Sequence, residues 1–204
     1  MMFFRTFLLS LVAFVYVVPA ATAAETDSDL ELGPNWRVID VYYHHEWNRN
    51  DNREADFIGL RASANIRNNG LFRIETNGGK ISDRINNVER EYNGYQQTFM
   101  GGVRYAASEQ ADIFWLVGAT RVEFETNYYN LNRHGLISQF GMRGMLTPAW
   151  DLTSYFQIQK TGGMTTTSLH ADIRYRAWRR VDVYAGAGLF ANDRSGRIGL
   201  SFHF

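Results

Sequence analysis

Cysteine is absent from the 204 residues. That excludes disulfides, thiolate metal sites and a cysteine nucleophile. Proline is nearly absent, at three residues, so little interrupts a backbone ladder that needs its N–H groups. An excess of charge of one sign is missing too, since Lys+Arg and Asp+Glu are equal at 21 each. No net field therefore directs the chain to nucleic acid or another highly charged partner. Beyond residue 24 no apolar run approaches the ~18 residues that a spanning helix requires. What is plentiful is glycine, at 18 residues, and aromatic side chains, at 15%. Few prolines and many aromatics favour long strands, where rings pack well on a pleated surface.

The first residues belong to another regime. Arg5 gives a weakly positive start, Phe7 to Val18 form an apolar core, and Ala21-Thr22-Ala23 supplies small residues for cleavage. This pattern predicts a secretory signal peptide over 1–23, followed by a periplasmic lead-in over 24–35 and one folded domain over 36–204.

In that domain the apolar period is two nearly everywhere. In "FIGLRASANIR", Ile58, Leu60, Ala62, Ala64 and Ile66 share one face, and Gly59, Arg61, Ser63 and Asn65 the other. "DIFWLVGATRVEFET" sets Phe114, Leu116, Gly118, Thr120, Val122 and Phe124 opposite Arg121, Glu123 and Glu125. "SLHADIRYRAW" sets Leu169, Ala171, Ile173, Tyr175 and Ala177 opposite Ser168, His170, Asp172, Arg174 and Arg176. A helix would scatter these charges around its circumference, whereas a strand sorts them. The pattern predicts ten strands, at about 36–46, 56–66, 70–79, 93–106, 111–126, 134–147, 150–160, 166–178, 181–191 and 195–204. Most reach the ~9–11 residues with which a tilted strand crosses a bilayer. Connections alternate between short ("RNNG", "ASEQAD", "TPAW", "WRR") and mostly longer and polar ("WNRNDNRE", "NGGKISDRINNVEREYN", "NYYNLNR", "KTGGMT", "NDRSG"). Transmembrane barrels show this asymmetry, and an even strand count returns both termini to the short-turn side. A soluble β-sandwich also alternates. Strand length favours the membrane, as do aromatics near strand ends: Trp36, Trp47, Tyr92, Tyr95, Tyr128, Tyr129, Trp150 and Trp178.

The last nine residues, "GRIGLSFHF", add Arg197, Gly199, Phe202 and Phe204 at polar-x-Gly-x-x-aromatic-x-aromatic. This resembles the terminal-strand signal of bacterial outer-membrane β-barrel proteins, and with the leader it likens the chain to the small barrel group that includes the OmpA-like membrane domains. The resemblance implies an all-β, antiparallel up-and-down transmembrane barrel in the Gram-negative cell envelope. Ten strands depart from the eight common in that group, and eight remains the alternative. It further implies contact with outer-membrane lipid and lipopolysaccharide, delivery by periplasmic chaperones, and Gly199, Phe202 and Phe204 as the signal read by the barrel-assembly machinery.

With the apolar face toward lipid, the other face lines a lumen. Assigned to it are Arg61, Arg73, Arg104, Arg121, Arg143, Arg174, Arg176 and Arg197, against Asp40, Glu46, Glu75, Glu123, Glu125, Asp172 and Asp182. A pore selective for acidic sugars would show a clear cationic excess. Near balance predicts interlocked ion pairs that plug the barrel. Gly101, Gly141, Gly186 and Gly188 either leave room for water or allow close packing.

Ser168, His170 and Asp172 have the residue types of a hydrolytic triad. Residues i and i+2 lie ~6.8 Å apart along a strand, too far for a nucleophile and its base. His44, His45 and Glu46 invite a metal, but strand neighbours point to opposite faces. No metal, cofactor or catalytic site is therefore expected. Loops 78–93 and 127–133 are read as solvated, with sugar, lipopolysaccharide phosphate or a host ligand as the sharper option. The expected role is structural or surface-interacting; a small passive porin-like channel is the alternative, and a membrane-embedded lipid hydrolase the third reading.

Overall fold

A computed structural model describes residues 34–48, 53–66, 69–85, 88–126, 130–190 and 193–204. The leader over 1–23, most of the lead-in, and Tyr128 and Tyr129 lie outside the described residues. Ten antiparallel strands form a closed barrel. They are β1 (Val38–Asn48), β2 (Arg53–Ile66), β3 (Gly70–Ile85), β4 (Val88–Ser108), β5 (Ala111–Glu125), β6 (Asn130–Thr147), β7 (Trp150–Thr161), β8 (Met164–Trp178), β9 (Val181–Phe190) and β10 (Asp193–His203). Each pairs with its sequence neighbours, and β1 closes on β10 from Val38↔His203 to Asn48↔Asp193. Closure removes every edge over the paired length, so no backbone row is left to meet lipid unpaired.

One rung followed round the wall from Ala111 returns to β5 at Glu123, twelve residues further along. With ten strands, that stagger tilts them by about 40°. The tilt sets the height of the apolar belt. Outward-facing apolar residues run, for example, from Val181 to Leu189 on β9 and from Trp150 to Ile158 on β7. Eight residue steps at that tilt rise about 20 Å, near the ~25 Å apolar band of transmembrane barrels. Ile58, Phe99, Trp115, Leu136, Phe140, Leu169, Ile198 and Phe202 all lie on this surface and are exposed. A water-soluble protein rarely tolerates so continuous an apolar coat.

Several expectations shift. The first strand begins at Val38 rather than 36, which leaves Trp36 outside the ladder. The supposed long loop between the third and fourth strands is a hairpin, paired from Lys80↔Asn93 out to Ile85↔Val88. "KTGGMT" is a tight turn, with Thr161↔Met164 flanking Gly162 and Gly163 at φ 57° and 86°. Two successive left-handed positions twist a two-residue turn to match its strands, and glycine adopts them without steric cost. The two ends of the barrel thus differ mainly in hairpin height.

Candidate functional site: a filled lumen below a vestibule

Period-two alternation carries one side chain in two of every strand into the lumen. Asp40 on β1 is fully buried there. Arg61 donates from Nε to its Oδ2 at 2.7 Å, with Nη2 at the same distance. Arg174 reaches that oxygen at 3.4 Å, and the Ser201 hydroxyl donates to Oδ1 at 2.5 Å. Asp172 on β8 accepts from Arg197 Nε at 2.6 Å and lies 3.5 Å from Arg61 Nη2. Three guanidiniums and two carboxylates therefore interlock across the bore. Tyr184 packs beneath Arg61 and Arg174, 5.8 and 5.2 Å from its ring centre. Gly186 makes the fit possible: a Cβ there would stand 2.0 Å from Asp172 Oδ1 and 2.8 Å from Arg197 Nε. Burying ions is costly unless each is paired and hydrogen-bonded; here every ion has a partner of opposite charge, while Arg61 Nη2, Arg174 Nε and Asp172 Oδ2 make no hydrogen bond.

Smaller pairs continue toward the end that carries the termini. Arg143 meets Asp151 at 2.7 Å, Arg104 meets Asp112 at 3.0 Å, and Asp182 accepts from His203 at 2.5 Å and Arg176 at 3.4 Å. Arg73 instead donates to Ser63 at 3.0 Å and Gln139 at 2.8 Å. Its guanidinium lies over Trp36 and Phe114, 5.9 and 5.7 Å from the ring centres.

Trp36 completes the fill. The segment 34–37 places its indole inside the barrel, with no exposed surface, against Leu71, Met100, Phe114, Leu116, Ile137 and Tyr155. Its Nε1 donates to Asp112 at 2.6 Å, and Arg143 stacks 5.1 Å from its ring centre. Trp36 is therefore not an interfacial girdle residue, and neither is Tyr92, which packs beside Ala55, Phe57, Ile81 and Phe124. Trp47, Trp150 and Trp178 do face outward at strand ends, while Tyr95 faces outward from well inside β4.

Arg61, Arg73, Arg104, Arg143, Asp172, Arg174 and Arg197 all face the lumen. Arg121, Glu123 and Glu125 do not. β5 presents Asp112, Phe114, Leu116 and Thr120 inward, so the opposite phase, with Trp115, Val117 and Arg121, faces outward. The physical reason is that both phases of 113–119 are apolar. Apart from Asp112 at the inner end, the charges of the strand lie at its outer end, and the inward phase is claimed by packing against Trp36.

Above the network, on the side away from the termini, the lumen opens into a vestibule of about 300 Å³. Tyr155, Arg197, Glu75, Thr98 and Ile137 form its floor, and Gln96 on β4 faces Gln157 and Gln159 on β7 across it. Gln96 spans to Gln159 at 3.2 Å, and Tyr42 donates to Glu75 at 2.6 Å. His170 lies at the margin, stacked on Tyr155 at 4.8 Å. Contrary to the simple strand-spacing argument, Ser168 Oγ and His170 Nε2 are 2.9 Å apart, because both side chains lean toward each other. Asp172 turns away to Arg197, and Ser168 is buried, so the three residues do not form a relay. His44 points inward beside Glu46 at 3.6 Å, while His45 points outward to Asp56 at 2.8 Å. Among the described residues no group of three or more His, Asp or Glu side chains is placed to hold a metal.

No protein-family model and no curated protein matches the chain. Solved structures do. An outer-membrane channel from Pseudomonas putida F1 aligns over 88% of this chain and all of its own, with 10% identity and a TM-score of 0.54. The translocator domain of the autotransporter NalP from Neisseria meningitidis aligns over 96% of this chain and 95% of its own, at 13% identity and a TM-score of 0.48. The NanC porin covers 81% of this chain and all of its own, at 11% identity and a TM-score of 0.48. The chain has the fold of an integral outer-membrane β-barrel.

Proposed function

We propose that this protein is a non-conducting barrel of the bacterial outer membrane, exported with a cleaved leader. Its termini then face the periplasm and its vestibule the cell exterior, in a structural or surface-interaction role without catalysis. The observation that carries the reading is the filled cross-section, where Asp40, Arg61, Asp172, Arg174 and Arg197 interlock beside the Trp36 cluster. Ion passage needs a continuous watery path, and paired buried charges held by direct hydrogen bonds do not offer one. Assembly follows from β10, whose Phe202 faces lipid while Gly199 lets Tyr42 approach; these residues with Phe204 are proposed to be read by the barrel-assembly machinery. Purified protein in planar phosphatidylcholine bilayers tests the central claim. Insertion without stepwise current is expected, and reproducible single-channel steps would overturn it.

A further inference from the structure

The outward phase of β5 places Arg121 at the upper border of the apolar belt. Below it on the same face come Ala119, Val117 and Trp115. Arg121 pairs directly with His134 on β6, whose outward face continues down through Leu136, Phe140 and Met142. Lys160 on β7 pairs with Leu136, above Ile158 and Phe156. Direct cross-strand partners stand about 5 Å apart and diagonal ones about 7–8 Å. Three cationic or protonatable side chains on adjacent strands thus converge on one patch where headgroups would meet the barrel.

Two acids share this outward face, Glu123 next to Arg121 and Glu125 one step further up β5, beyond the patch. Glu123 shares Arg121 with Asn132, which accepts from Arg121 Nε and donates to Glu123, each at 3.2 Å. His134 and Lys160 have no carboxylate partner among the described residues, and both are exposed. Elsewhere the rim is self-neutralising: Lys80 sits opposite Asp56 across β2 and β3 and 3.9 Å from Glu91, and His45 is bonded to Asp56. Arg194 on β10 is also outward and exposed but stands singly between Trp47 and Leu189, whereas β5–β7 bring three such side chains together.

We propose that Arg121, His134 and Lys160 form a seat for the phosphate of an anionic lipid headgroup, in a bis-phosphorylated glycolipid of the outer leaflet. Cations at this level cost little in a barrel wall, since the penalty of a charge facing lipid fades toward the interface. The stems of Arg121 and Lys160 are long enough to cover apolar surface while their heads reach the headgroup layer. Each adds attraction to an anionic surface. The identity of the leaflet rests on the proposed orientation, but the seat itself does not.

The test uses the full mature protein in detergent with excess phosphatidylcholine, read by native mass spectrometry. Bis-phosphorylated lipid A is expected to bind at least about tenfold more tightly than its dephosphorylated form. The combined Arg121→Gln, His134→Gln and Lys160→Gln variant should lose that preference, while Lys80→Gln keeps it. Millimolar inorganic phosphate should not displace the lipid. Equal binding of the two lipid forms, an unchanged triple variant, an equal loss in Lys80→Gln, or displacement by phosphate would each overturn the seat. Orientation is read separately, by labelling Met164→Cys in intact cells with an impermeant maleimide. Labelling only after permeabilisation would refute the orientation and leave the binding result standing.

Discussion

Asp40→Asn removes one charge from the centre of the bore while keeping its volume. Asparagine can still accept from Arg61 and turn its amide toward Ser201, so hydrogen-bond count changes little. What changes is charge: Arg61 and Arg197 are then left with Asp172, and Arg174 with Asp151 at 4.0 Å. Removing one member of a buried ion pair typically costs about 3–5 kcal/mol, because the partner stays buried and uncompensated. That loss is expected in urea unfolding of the vesicle-inserted barrel, followed by tryptophan fluorescence and by heat-modifiable gel migration. Arg61→Met in the same chain removes one uncompensated cation, so the double variant should recover part of the loss. A coupling of about 1–3 kcal/mol between the two sites is expected. The reasoning fails if Asp40→Asn costs under about 1 kcal/mol with no coupling. The lumen would then be wet enough to screen these charges as a surface does, and the non-conducting reading would lose its support.

Trp36→Ala should cost about 3–5 kcal/mol through the cavity left among Leu71, Phe114 and Leu116. If the indole is a needed part of the seal, it should also produce current steps absent from wild type, and a silent bilayer would confine the seal to the charge network. Gly186→Ala drives a methyl against the Asp172 and Arg197 side chains, and a destabilisation of about 1–3 kcal/mol in the same unfolding assay is expected; no change would mean that the close approach there is not used. Deletion of Phe204 together with Phe202→Ser should reduce the fraction of protein recovered folded in outer-membrane extracts, and unchanged recovery would separate the aromatic tail from assembly.

The strands were legible because lipid outside and ion pairs inside sort residues as sharply as any core does. β8 shows this best, with Leu169, Ala171, Ile173 and Tyr175 against His170, Asp172 and Arg174. The polar lumen was legible for the same reason at Arg61, Arg143, Asp172 and Arg197. The seal was less so. Asp112 and Asp151, which hold Arg104 and Arg143, sit at strand starts, where an acid reads as a turn residue. Trp36 lies before its strand, and an aromatic at a strand end reads as a girdle ring unless the fold draws it inside.

β5 is the instructive failure. Alternation reports which residues share a face, but not which face is in, and charge usually decides. On a membrane barrel that rule holds only within the apolar belt, because an outward charge above the belt meets headgroups and water rather than hydrocarbon. Three of the four charges of β5, at 121, 123 and 125, lie beyond the belt and carried no information about phase, and the fourth, Asp112, sits at the strand start, where an acid reads as a turn residue. Its lower half is apolar on both faces, and there a different constraint decided: Phe114 is the ring that Trp36 packs against, 5.1 Å away and edge-on. The indole that seals the bore thus orients the strand, and by orienting it turns Arg121 out to join His134 and Lys160. A change that evicted Trp36 would free both phases of β5 to compete for the lumen. The plug and the basic seat are therefore coupled through one strand, and weakened lipid A binding in Trp36→Ala, with Arg121, His134 and Lys160 all intact, is the expected sign of that coupling.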